Sequence, residues 1–329
     1  MANFKDIIGQ ENVKKHLQMG ISQGNISHAY IINGETGSGR RLLASALTKT
    51  LLCQHPTKEG DACGVCKSCI QADSNNHPDV RFITHEKASI SVDNIREQLV
   101  NDITIKPYNS TYKIYILPEA DKMTEQAQNA LLKTIEEPPA YAVIILLTDT
   151  VESLLETIRS RCIILNTRPL DKDAIKQYLV KNLQMEPERA EIAAGFCQGN
   201  VGKAIHFASS EDFQETKADT LRLVKEIDTM DITDMVSMIK ELNQRKGKID
   251  EYLDLMLLWY RDVLMFKVTK DANILLYREE YKAISRQASL RNYEDIENII
   301  NAIDKAKVRL HANVNFETAI ELLLLAIKE

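Results

Sequence analysis

The sequence predicts a doubly wound α/β P-loop domain with an inserted four-cysteine module, followed by domains built of helices alone. Three observations predict it. A glycine-rich loop, Gly34-Glu-Thr-Gly-Ser-Gly-Arg-Arg41, separates an apolar run, Ala29-Tyr-Ile-Ile-Asn33, from a helix-like run, Leu42-Leu-Ala-Ser-Ala-Leu47. Buried-strand patterns alternate with helix patterns up to about Thr167. From Ser210 onward only helical periodicities recur.

Composition sets the bounds. A chain of 329 residues has room for two or three domains, and 44% hydrophobic with 27% charged residues is the balance of an ordinary soluble protein. No run of apolar residues reaches the length of a membrane span, and the start, Met1-Ala-Asn-Phe-Lys-Asp6, has no apolar core, so a cytoplasmic location is expected. A net charge of −6 argues against a free-standing DNA-binder and leaves room for DNA contact shared with partner chains.

The first element is a helix pattern over Glu11 to Gly24. Ile8-Gly9-Gln10 before it is read as a turn, with lining of an adenine pocket as the alternative. His28 opens the first strand and is read as a packing residue. The loop that follows has the glycines to cradle phosphates with backbone N–H groups at a helix start. The two places that a working P-loop gives to Lys and to Ser or Thr hold Arg40 and Arg41. A guanidinium at 40 can still meet phosphate; Arg41 has no acceptor atom and cannot ligate Mg²⁺.

Cys53, Cys63, Cys66 and Cys69 come next, spaced C-x9-C-x2-C-x2-C, with Pro56 and Gly60 in the longer loop. That spacing closes a tetrahedron around structural Zn²⁺, and four thiolates leave no open position for catalysis. His77 is read as a loop residue and not as a fifth ligand. A strand over Val80 to Ile83 precedes a helix from Ser91 to Val100, on which Arg96 is read as facing solvent, with DNA contact as the alternative. The buried strand Lys113 to Leu117 ends in Pro118-Glu119-Ala120-Asp121, where a P-loop ATPase keeps its second, metal-holding motif. Glu119 stands in the Glu place and Pro118 in the Asp place, so a second Mg²⁺ position is missing. A helix from Thr124 to Glu137 stops at Pro138-Pro139. The strand Ala142 to Leu147 ends at Thr148, read either as a γ-phosphate sensor or as the start of a turn. One helix over Val151 to Ile158 then leads through Ser160-Arg161-Cys162 to a last strand, Ile163 to Leu165.

The helical part begins after Pro169-Leu170, with helices over Asp171 to Leu183 and from Pro187, and a turn through Gly199 into Ala204 to Ala208. Later patterns cover Asp231 to Leu242, Ile249 to Val268 (with Trp259 buried), Ala272 to Gln287, Tyr293 to Lys307 and Asn315 to Lys328. His206 and His311 are read as ordinary helix or loop histidines.

These stretches resemble the clamp-loader family of AAA+ ATPases. The likeness rests on Ile8-Gly-Gln10, His28-Ala-Tyr30, the cysteine module, Glu119-Ala-Asp-Lys-Met123, Asn129-Ala-Leu-Leu-Lys133, Glu136-Glu-Pro-Pro139 and Ser160-Arg-Cys162, in order across the first domain. It implies an α/β AAA+ P-loop domain with an inserted zinc module (1–168, module 53–69), a small helical lid domain (169–208) and an all-α collar domain (209–329). It implies that Arg161, with Ser160 and Cys162, is an arginine finger reaching a neighbouring subunit's ATP site, and that Lys203 stands where active relatives place a phosphate-sensing Arg. A helix-surface lysine is an equal reading of Lys203. Arg40, Arg41 and Pro118 then mark a non-hydrolysing stator subunit of a DNA polymerase III holoenzyme. Polymerisation, a nucleotidyl transfer, belongs to another chain of that assembly. The implied partners are ATPase subunits of the gamma/tau type, the delta subunit, and through them the sliding clamp and primed DNA. The alternatives are an ATP-hydrolysing subunit that uses Arg40, a subunit that holds nucleotide structurally on Gly34, Gly37 and Gly39, and a stand-alone zinc-dependent DNA-binder.

Overall fold

The computed structural model describes residues 2–209, 212–312 and 314–328. The chain divides into two units, Met1–Ile205 and His206–Glu329.

The first unit is built on five parallel strands in the order β2-β3-β4-β1-β5. These are β1 (Ala29–Asn33), β2 (Val80–Phe82), β3 (Lys113–Leu117), β4 (Ala142–Thr148) and β5 (Ile163–Asn166). The three central strands are covered on both faces, which is why they read as unbroken apolar runs. Alternate residues go to opposite faces. Tyr30, Ile32, Val143, Ile145 and Leu147 face one core; Ile31, Tyr115, Ile144 and Leu146 face the other.

Helices α1 (Glu11–Ser22), α2 (Arg40–Leu52) and α3 (Lys67–Asp73) precede β2. Leu43 and Leu47 of α2 fill the first core. Next comes α4 (Val92–Ile95), capped by a reciprocal Ser91–Asn94 box and continued by a wider π-helical turn, Arg96–Val100. Helix α5 (Glu125–Glu136) presents Ala127, Leu131 and Ile135 to the second core.

The single helix expected over Val151 to Ile158 is two pieces, a 3₁₀ turn, Val151–Ser153, and α6 (Glu156–Arg159). Buried Gln128 explains the break. Its amide donates to Ser153 O (3.1 Å) and accepts from Leu155 N (2.7 Å), taking backbone groups that a continuous helix would pair. Helices α7 (Lys172–Leu183), α8 (Pro187–Phe196) and the first residues of α9 (Val201–Ser209) complete this unit.

The second unit is helical: α10 (Asp212–Glu226), α11 (Ile232–Gln244), α12 (Ile249–Thr269), α13 (Tyr281–Leu290), α14 (Tyr293–His311) and α15 (Phe316–Lys328). Helix α10 adds to the expected set. The helix expected over Ala272 to Gln287 is instead two 3₁₀ turns and α13. The buried Asp262 carboxylate accepts the N–H groups of Leu276 (2.7 Å) and Tyr277 (2.9 Å) and holds that stretch out of helix. Trp259 is buried as expected, and its indole N–H donates to Gln287 Oε1 at 2.7 Å. His206 pairs with Glu251 at 3.0 Å. The side chain of His311 lies outside the described residues. Among the described residues no helix is long and apolar enough to cross a membrane.

Candidate functional site: a glycine-rich loop cleft, a cysteine tetrad and an outlying arginine

The chain runs from β1 toward β2, β3 and β4 on one side and leaves β5 on the other. The strand order therefore reverses at β1, and a crevice opens there beyond the strand ends. The glycine-rich loop follows β1 directly, and Gly34 N donates back to Thr148 O on β4 (3.1 Å). The resulting cleft holds about 480 Å³ and is lined by Ile8, the 36–42 loop, Pro118, Glu119, Asp121, Asp149, Tyr178 and the start of α9.

Arg40 and Glu119 in it are already engaged. Arg40, 11% exposed, pairs with Asp149, and its Nη2 donates to Thr36 Oγ1 at 3.1 Å. Thr36 Oγ1 in turn donates to Asp149 Oδ2 at 3.1 Å. Arg41 is exposed. Glu119 accepts from Lys122 (2.7 Å) and meets His85 Nε2 (3.0 Å). Lys122 and His85 hold the Glu119 carboxyl below the usual carboxylate range. Thr148 is fully buried, and its hydroxyl donates to Thr150 O (2.9 Å) and accepts Thr150 N, so it builds a turn.

The start of α9 is bolted to the loop. Asn200 Nδ2 donates to Thr36 O (2.8 Å) and Glu35 Oε2 (2.9 Å), and Gly202 N donates to Gly37 O (3.0 Å). Lys203 Nζ lies 2.6 Å from Glu35 Oε1. Both glycines are required by this approach. A Cβ on Gly202 would sit 2.6 Å from Gly37 Cα, and one on Gly37, at φ +90°, 2.4 Å from Asn200 Oδ1. Gln10 ties the other rim, donating to Arg168 O (2.7 Å) and accepting Arg168 N (2.9 Å).

The four cysteines converge. Their sulfurs all lie within 4.8 Å of one another, with Cys53–Cys66 at 4.0 Å and Cys63–Cys69 at 3.9 Å. A tetrahedron of thiolates about 2.3 Å from a central ion has an edge of about 3.8 Å, so the group could hold a metal ion. Backbone N–H groups of Val65 and Cys66 pull the Cys63 thiol down to about 6. His77 takes no part. It is buried, its Nδ1 accepts from Asp79 N (3.2 Å) and its Nε2 meets Ser68 Oγ (3.3 Å).

Arg161 stands apart from the cleft. It is 40% exposed, donates to Thr157 O (3.0 Å), and pairs with Glu136 at 3.0 Å. An open depression there is lined by His28, Ile135, Glu136, Glu137 and Arg161. The Ser160 hydroxyl bonds Thr157 O (3.1 Å). Burial pushes the Cys162 thiol up to about 12, and its side chain packs on the second core. Arg96 is exposed, as read. Sequence reasoning missed Asp149 and Asn200. Asp149 was findable as the acidic residue directly after a strand that ends beside the loop; nothing local marked Asn200.

The fold and cleft define an α/β protein with a parallel sheet, whose glycine-rich loop after β1 ends in Arg40 and Arg41. The family model described as "DNA polymerase III, delta subunit" matches residues 9–171. DNA polymerase III subunit delta' of Bacillus subtilis (strain 168) is 32% identical over 340 residues, covering 97% of this chain and 96% of that one. The chain belongs to the DNA polymerase III delta' family. Subunit tau of the same organism is 28% identical over 343 residues, covering 96% of this chain and 60% of tau. A solved DNA polymerase III gamma subunit-related protein of Thermotoga maritima aligns over 97% of this chain and 98% of its own, at 22% identity and a TM-score of 0.48.

Proposed function

We propose that this chain is a clamp-loader subunit that does not hydrolyse ATP at its own loop and completes a neighbouring subunit's ATP site with Arg161. The observation that carries the reading is the separation of roles. Arg40 in the chain's own cleft is engaged by Asp149 and Thr36, while Arg161 is exposed away from that cleft. Arg41 and Pro118 replace the residues that would hold Mg²⁺.

The chemistry suits the role. A guanidinium is planar, permanently charged and weakly hydrated, so it can meet charge developing on a γ-phosphate. In other P-loop systems such fingers are worth roughly 10³–10⁵ in rate. Release of Arg161 from Glu136 costs little, because exposed pairs contribute about 0–1 kcal/mol. The Thr157 carbonyl also accepts from Arg161 Nη1, a second exposed contact that the guanidinium exchanges when it reaches outward.

In this reading Cys53, Cys63, Cys66 and Cys69 hold Zn²⁺, which braces the segment between α2 and α3 and has no open position for chemistry. Residues 1–168, 169–208 and 209–329 act as AAA+ domain, lid and collar. The partners are ATPase subunits of the gamma/tau type and a delta subunit, and through them the sliding clamp and primed DNA, in the cytoplasm. The test is ATP turnover by the pure, isolated chain with Mg²⁺. The reading expects none above background. Sustained turnover that Arg40→Ala abolishes would refute it.

A further inference from the structure

Asp149 lies one residue past the β1–β4 register pair Asn33–Thr148, and this brings its carboxylate against the glycine-rich loop. There it accepts from Thr36 Oγ1 (3.3 and 3.1 Å to its two oxygens) and pairs with Arg40. Arg40 is 11% exposed and Asp149 48%, so the acid covers the arginine from the open side of the cleft. Arg40 Nη1 is buried without a hydrogen-bond partner.

We propose that Asp149 makes this loop reject phosphate anions, because it supplies the Arg40 guanidinium and the Thr36 hydroxyl with a carboxylate of the chain's own. A phosphate arriving at the loop has to displace that carboxylate. It then sits beside a negative charge fixed to the end of β4. The loop itself needs no ligand to hold its shape. Asn200 and Gly202 bond the carbonyls of Thr36 and Gly37, and Thr167 Oγ1 donates to Ser38 Oγ at 2.9 Å. The exclusion is therefore built into one exposed side chain on an otherwise formed loop. The proposal rests on the reading of this chain's own cleft as silent. It is tested by binding rather than by turnover, and it stands or falls independently of Arg161.

The experiment is calorimetric titration of the full chain with inorganic pyrophosphate and with ADP, both without Mg²⁺. Wild type is expected to show no saturable binding at millimolar probe. Asp149→Ala is expected to bind both roughly tenfold or more tighter, with affinity that falls as salt rises. Asp149→Asn should gain in the same direction, and adding Arg40→Ala to Asp149→Ala should erase the gain. The proposal is overturned if wild type binds the probes as tightly as Asp149→Ala, if both single variants unfold cooperatively and gain nothing, or if the gain survives loss of Arg40. Tight binding by wild type would point instead to a nucleotide held as a structural element.

Discussion

Replacing Asn200 by alanine removes the bolt between the start of α9 and the glycine-rich loop. Asn200 is 3% exposed. Its Nδ2 donates to Thr36 O at 2.8 Å and Glu35 Oε2 at 2.9 Å, and its Oδ1 caps α9 by accepting Lys203 N at 3.1 Å. Each such bond is worth about 1 kcal/mol net, and lost helix caps cost about as much, so the substitution should cost about 2–4 kcal/mol at this junction. The loss is local, so it belongs to a sub-global opening rather than to the whole fold. Amide hydrogen exchange is the assay. Protection of Gly202 to Ile205 and of Ser38 should fall by roughly 30- to 900-fold, while β3 and β4 amides stay protected. Gly202→Ala should open the same junction by a different route, since its Cβ would lie 2.6 Å from Gly37 Cα. Unchanged exchange in both segments of the Asn200 variant would refute the bolt.

Other outcomes follow from named contacts. The purified chain should carry one tightly held zinc ion by elemental analysis, and Cys69→Ser should lose it and expose residues 53–69 to protease; a metal-free wild type with four freely titrating thiols would contradict this. Asp102 meets Lys113 Nζ at 2.7 Å and accepts from Tyr115 Oη at 2.8 Å. Burial alone would raise its pKa, but the bonds from Lys113 and Tyr115 hold it below the usual range. Its stabilising contribution is therefore full above the unfolded value of about 3.9 and is lost as pH falls below that. Asp102→Ala should cost about 3 kcal/mol at neutral pH, since it leaves Lys113 buried beside two carbonyls only, and should flatten the acid limb of the stability curve. An acid limb identical to wild type would count against it.

The parallel sheet was legible because strands covered on both faces must be apolar at every position, as in Ala142 to Leu147. The cysteine tetrad was legible because its spacing is a geometric constraint in itself. Breaks in helices were hidden where a distant side chain takes the backbone groups, as Gln128 does at Ser153 and Leu155 and Asp262 at Leu276 and Tyr277. Helix α10 escaped notice because its inward stripe runs Phe213, Thr216, Thr220, Leu223, Val224. Two buried threonines there blur the apolar period, and Thr220 satisfies its hydroxyl on Thr216 O at 2.8 Å. In the cleft, Arg40 and Arg41 at the end of the glycine-rich loop were plain to read. Asp149, which pairs with Arg40, and Asn200, which clamps the loop, come from more than a hundred residues away, and only the fold brings them there.

The central claim is that Arg161 acts on a neighbour's ATP. The most direct measurement is clamp- and DNA-stimulated ATP turnover by the reconstituted assembly carrying Arg161→Ala in this chain, with assembly checked by gel filtration. The account predicts an intact assembly that loses much of its stimulated turnover, with little recovery in Arg161→Lys, because Lys cannot present the planar fork. An intact assembly with undiminished turnover would contradict it and leave Arg161 as a surface partner of Glu136.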